Sequence, residues 1–169
     1  MSLPHRFTFL TLFLLAPTLG VACSDAVADA AVSGDAEAGK PACNALVNLG
    51  TDVPILTEAA VPPPAMGGAI ADGTYVVTSA TLYTGPNGAS GPSGKSVRMT
   101  VAIAGMRGDS VFDDINRSAT FVIAGTKLKS TATCPGTGTD EVDYSATPES
   151  LTLYLIDSKG TRVYFLGRR

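Results

Sequence analysis

The residues able to do covalent or metal chemistry are few and far apart. Cysteines stand at 23, 43 and 134, and the one histidine is His5. His5 falls in an N-terminal stretch that reads as a removable leader, so the processed chain is expected to carry no imidazole. That excludes a Ser–His or Cys–His nucleophile pair and a histidine-ligated zinc. Carboxylates gather in two places. Asp109, Asp113 and Asp114, with Asn116, offer hard oxygen, yet they lack the ligand spacing of a calcium loop. Turns favour Asp and Asn for their own reasons, and that is the plainer explanation. Asp140, Glu141 and Asp143 crowd one short segment, whereas a glycosidase pair must face across a cleft. "SGKS" at 93–96 imitates the end of a phosphate loop, but a strand pattern follows where phosphate binding needs a helix N-terminus. No catalytic residue, no metal and no cofactor is expected.

The cysteines carry more. "MSLPHR" is followed by the apolar run "FTFLTLFLLA", Phe7–Ala16. A helix needs about twenty apolar residues to cross roughly 30 Å of hydrocarbon, so this run is too short to span and has the length of a secretory signal. Pro17 breaks it, and Gly20 and Ala22 place small side chains before Cys23. "LGVAC" resembles a bacterial lipobox, in which the cysteine is diacylated and becomes the new N-terminus. The resemblance implies that Cys23 is lipidated and that the partner at this end is a membrane. Ser24, in place of Asp, implies sorting to the outer membrane. The alternative is cleavage by the ordinary signal peptidase, giving a secreted chain with a free Cys23 thiol. Parity bears on the choice, because three cysteines always leave one over in an oxidising compartment. With lipid on Cys23, Cys43 and Cys134 remain to pair as a disulfide.

These positions need elements to hold them. Residues 24–42 are Ala, Gly, Ser and Asp with little to bury, and read as a flexible tether. Beyond residue 22 the chain has 11 basic and 15 acidic residues, and from Cys43 onward 10 and 11. Such a near-neutral domain without a basic stripe argues against nucleic acid. From Gly73 the chain becomes a series of β-rich runs separated by Gly, Pro and Asp. "TYVVTSATLY", "KSVRMTVAI", "DSVFDD", "SATFVIA", "TKLKSTATC", "VDYSAT", "LTLYLI" and "RVYFLG" make eight. Short connections between consecutive runs predict an all-β, antiparallel up-and-down barrel of about eight strands, with a two-sheet sandwich as the alternative. "TGPNGASGPSG" reads as a long loop after the first run.

"IADGTYVVTSATLYTG", "SATFVIAGTKLKSTATCP", "DYSATPESLTLYL" and "RVYFLGRR" together resemble bacterial lipocalin-like outer-membrane lipoproteins, small anchored β-barrel domains. The resemblance implies that a small apolar ligand is held inside the barrel. Met99, Val101, Ile103, Phe112, Phe121, Ile123, Leu153 and Phe165 are the candidates to line that interior. Eight strands enclose just enough room either for side chains or for one small ligand. The competing reading is a barrel filled by side chains, serving as a non-catalytic interaction module of the envelope. A void above about 300 Å³ decides for the ligand.

Residues 43–72 contain Pro62–Pro64, which enforces extended backbone, together with apolar Leu46, Val53 and Ile55 that require cover. They are expected to form a strap over one end or side of the barrel, pinned by Cys43–Cys134. The predicted organisation is a leader at 1–22, a lipid-anchored tether at 23–42, the strap at 43–72 and the barrel at 73–169.

Overall fold

The alternating runs become strands that reverse at very short turns. The computed structural model describes residues 43–169; the leader, Cys23 and the tether lie outside the described residues. The strands are β1 (Val53–Glu58), β2 (Gly73–Tyr83), β3 (Gly91–Val97), β4 (Met99–Ala104) and β5 (Arg107–Phe112). They continue as β6 (Ile115–Ala124), β7 (Lys127–Cys134), β8 (Gly138–Thr147), β9 (Ser150–Asp157) and β10 (Gly160–Arg168). Five connections leave only two residues between paired strand ends. Gly105 and Gly125 sit in two of these turns at φ 57° and 59°, and Asp113 takes φ 52° in a third. The primed turns common in two-residue hairpins use that left-handed conformation, which Gly enters freely and Asp tolerates.

β2 and β4 through β10 form an eight-stranded antiparallel barrel, closed where β10 returns to β2. Thr161–Arg168 lie opposite Tyr83–Tyr75 along that seam, so the two-sheet sandwich does not apply. Closure leaves β3, which pairs only with β1, as the outermost strand of the sheet.

Two strands, β1 and β3, stand outside the eight of the barrel. β1 runs parallel to the upper half of β2, pairing Ile55–Glu58 with Ala80–Tyr83, and antiparallel to β3 on its other side. The run "KSVRMTVAI" is therefore split at Arg98. Its second half, β4, pairs directly with β2, while β3 is held off from β2 by the wedge of β1. Gly91–Gly94, expected in a loop, belongs to β3. Pro54 is admitted because the β1–β3 register shifts between Pro54 and Leu56. A residue without an N–H is tolerated beside such a bulge.

The rest of the strap covers the barrel twice. Before β1, it lies on the outer face of β4–β6. There Asn48 donates to the carbonyls of Arg98 and Asp113, and the Leu49 amide donates to Thr100 Oγ1 at 2.8 Å. Asn116 donates to Asn44 Oδ1 and to the Leu46 carbonyl. Beneath these contacts the outward-facing Val76, Thr100 and Val111 are buried. After β1, the chain passes Pro62–Pro64 and reaches the end of the barrel where β2 begins. Gly67 exchanges backbone hydrogen bonds there with Tyr144 and Ala146. Two fully buried phenols reach down to the same segment: Tyr144 donates to the Gly68 carbonyl at 2.7 Å and Tyr75 to the Ala71 carbonyl at 2.6 Å. Residues 66–72 thus floor the barrel. Asp72 fixes their far end, accepting from the Gly105 amide and, through its carbonyl, from Arg168.

Candidate functional site

The inward faces follow from the ladder register. Met99, Val101 and Ile103 of β4 pair with Phe112, Ser110 and Gly108 of β5, so all six face the lumen together. Phe121 and Leu128 continue that surface on β6 and β7, and Leu151, Leu153 and Leu155 complete it on β9. Small residues on the same face, Gly108, Ser110 and Ala119, keep the lumen from filling. A cavity of about 530 Å³ results. It is mostly apolar, and it reaches the surface on one side. β8 pairs with β9 only through Asp143–Thr147, so Gly138–Val142 and Leu155–Asp157 part from each other. Asp140, Glu141 and Val142 line one side of this parting and Leu155 and Ile156 the other.

A second cavity of about 570 Å³ lies between β1–β3 and β10. It shares no lining residue with the first. Phe112 and Tyr164 meet edge to face across the barrel, centroids 6.0 Å apart, and line the upper cavity. Their ladder neighbours Met99 and Leu153 line the lower one. This aromatic pair is the partition between the two spaces.

Of the eight interior candidates, Met99, Val101, Ile103, Phe121 and Leu153 line the lower cavity, and Phe112 lines the upper. Ile123 pairs with Leu128 near the floor, is more than a third exposed and lines neither cavity. Phe165 departs from the expectation: it faces outward and is 43 % exposed. The inward residues of β10 are Arg162, Tyr164 and Leu166, since these pair with the inward Leu155, Leu153 and Leu151. Arg162 on that face is what hid it, because Val163 and Phe165 look more apolar than Arg162 and Tyr164.

Cys43 and Cys134 are bonded, with Cα atoms 5.4 Å apart. Cys134 ends β7 opposite Ser118, whose hydroxyl donates to Asp109 at 2.6 Å and also reaches the Cys43 carbonyl. Cys23 lies outside the described residues.

The acidic group at 109–116 does not converge. Asp109 accepts from Ser118, Asp113 from the Arg98 amide and Asp114 from the Arg98 guanidinium, while Asn116 holds the strap. Asp143 pairs with Lys127 at 2.8 Å at the edge of the lower cavity, and that bond raises the lysine's pKa. Among the described residues no three His, Cys, Asp or Glu side chains assemble as metal ligands.

Sequence reasoning missed the three interior tyrosines, Tyr75, Tyr144 and Tyr164, and the lumenal Arg162. Alternation carried a signal for Tyr164 and Arg162, which share a face with Leu166. Arg162 bonds to Tyr164, which raises its pKa, and pairs with Asp157. Comparison with family models, with curated proteins and with solved structures finds no match to this chain.

Proposed function

We propose that this chain is a non-catalytic, lipid-anchored envelope protein whose barrel binds one small apolar ligand in the lower cavity. The observation that carries the reading is the unfilled lumen. A volume of about 530 Å³ framed by Met99, Val101, Ile103, Phe121 and Leu153 exceeds the roughly 300 Å³ at which ligand pockets begin. A side-chain-filled interaction module would have no reason to place Gly108, Ser110 and Ala119 on the inward face. The parting between β8 and β9 supplies a route of entry beside the exposed Ile156. The leader and the lipobox-like "LGVAC" support attachment through Cys23, with the tether at 24–42 allowing the barrel to stand off the membrane.

The test uses the full chain from the membrane fraction of a Gram-negative host. Intact mass spectrometry is expected to give a chain beginning at Cys23, carrying diacylglyceryl and acyl groups and lacking two hydrogens for the disulfide. A soluble, unlipidated chain overturns the anchor. For the cavity, a fluorescent naphthylamine probe is expected to bind the wild type. It should lose that binding when Gly108→Val and Ala119→Leu fill the lumen. Unchanged probe binding in a folded double variant overturns the lower cavity as the site.

A further inference from the structure

The upper cavity differs from the lower one in charge. Lys95, Lys159 and Arg162 line it, and no carboxylate does. The lower cavity is edged by Asp140, Glu141 and Asp143 against Lys127. Arg162 is compensated by Asp157, which does not line the cavity. Among the described residues neither Lys95 nor Lys159 takes part in an ion pair, so the lysines leave the space with an excess of positive charge. Thr57, Thr84 and Ser96 share the wall.

Below this polar rim the surface is apolar. Ile55, Leu82 and Val97 form one wall and the Phe112–Tyr164 partition the inner end. Arg162 bridges the two regions. It is an inward-facing residue of β10, opposite Leu82 and Leu155. One guanidinium nitrogen donates to Asp157 and another to Tyr164 Oη at 3.4 Å. Its Nε–H is buried without a protein partner among the described residues. Closed to solvent, that atom is equally closed to a ligand oxygen, so the cavity meets the guanidinium through its terminal nitrogens, which carry N–H groups beyond those given to Asp157 and Tyr164.

We infer that the upper cavity is a second binding site, for a single-chain amphiphile with an oxyanion head, distinct from the apolar site proposed in the lower lumen. The head accepts from Arg162 and is drawn in by Lys95 and Lys159. The tail lies along Ile55, Leu82 and Val97 and ends at Phe112 and Tyr164. A guanidinium matches the paired oxygens of both carboxylate and phosphate, so the head is either of these. A neutral head would leave the lysines' charge without a counterpart, and the apolar wall gives a free inorganic anion nothing to hold.

The experiment is calorimetric titration of the full chain in lipid nanodiscs, with empty nanodiscs subtracted. The probes are decanoate, decyl phosphate and 1-decanol. At least one of the two anions is expected to bind about tenfold or more tighter than the alcohol, the value of one charge-assisted hydrogen bond. Whichever binds tighter identifies the head. Arg162→Leu is expected to remove that advantage. Because Arg162→Leu also frees Asp157 and can unsettle β10, the variant Lys95→Gln with Lys159→Gln is the second arm. It touches only the rim and is expected to weaken the anion several-fold and flatten its salt dependence. The lumen-filling pair Gly108→Val and Ala119→Leu is expected to leave anion binding intact. The inference is overturned if no anion binds, if 1-decanol binds as tightly, or if both cation variants bind as wild type does. It is also overturned if the lumen-filling pair abolishes anion binding, a result that places the ligand in the lower cavity and leaves the reading of that cavity standing.

Discussion

At the scale of single residues, buried hydroxyls do the specifying. Tyr75 and Tyr144 are wholly enclosed, and each spends its phenol on one carbonyl of the floor. Replacing Tyr144 by Phe keeps the ring packing and strands the Gly68 carbonyl. The expected cost is about 1–3 kcal/mol in urea unfolding, and a loss within error would mean that the floor is not held by this bond. Tyr83 titrates differently from its free counterpart. Burial raises its pKa above the ordinary 10.0, with Glu58 and then Tyr154 adding to the shift. The folded chain therefore resists an ionisation that the unfolded chain accepts. Stability is intact below pH 10 and falls as the pH climbs past it, because the unfolded state gives up its proton first. Tyr83→Phe is expected to flatten that alkaline fall in a pH series of melting temperatures; an identical slope in the variant would remove Tyr83 as its source.

At the scale of elements, the eight runs from Thr74 onward were legible because alternation and turn chemistry agree. "AGTK" supplies Gly125 at the left-handed position, and Leu128, the next residue, falls on the inward face. β1 was not legible as a wall strand. Its partners are distant in sequence, its pairing with β2 is parallel, and Pro54 argues against a central strand until the bulge is known. Phe165 was assigned inward for want of a similar fact. Its pairing with Thr152 of β9, beside the inward Leu151 and Leu153, and the bulge in β2 that sets Ser79 and then Val77 opposite Phe165 and Leu166 fix which face of β10 meets the lumen. The two cavities were invisible for a different reason. A void depends on what the strands across the barrel leave unfilled, and the β5–β6 hairpin that brings Gly108 opposite Ala119 does not show what faces that pair. The floor segment is the element most open to a sharp test. Gly67 sits at φ 67°, and a Cβ there would fall 2.5 Å from the Gly125 carbonyl oxygen. Gly67→Ala is expected to lift residues 66–68 off β8 without unfolding the barrel. The Ala146 amide, which donates to Gly67 at 2.7 Å, would then lose hydrogen-exchange protection. Full protection in the variant would show that the segment is not seated as described.

At the scale of the molecule, one covalent bond ties the strap to the barrel. Cys43 and Cys134 are 91 residues apart, and closing a loop of that length stabilises the fold by about 4–5 kcal/mol on the chain-entropy estimate. Reduction is expected to lower the denaturation midpoint by a corresponding amount. A midpoint indifferent to reductant would mean that the packing of Asn44, Asn48 and Asn116 alone holds the strap. The near-balance of 10 basic and 11 acidic residues from Cys43 onward conceals a local polarity that composition cannot reveal. Cations collect at the upper cavity and carboxylates beside the lower, on a domain that has almost no net charge.

The same disulfide decides how the molecule bears a pull. A load arriving through the residues before Cys43 divides there, and the sulfur bridge passes it straight to the end of β7. Everything from Asn44 to Thr133, including β1, the floor and the whole of β2 through β6, lies inside a closed ring and adds nothing to the length the chain can pay out. Among the described residues only 135–169 are free to extend, and they hold β8, β9 and β10. Stretched between its front end and Arg169, the protein is expected to yield first where β10 shears from β2 and β9. Force spectroscopy would then record a short contour gain, and reducing the bridge would lengthen it by the ring.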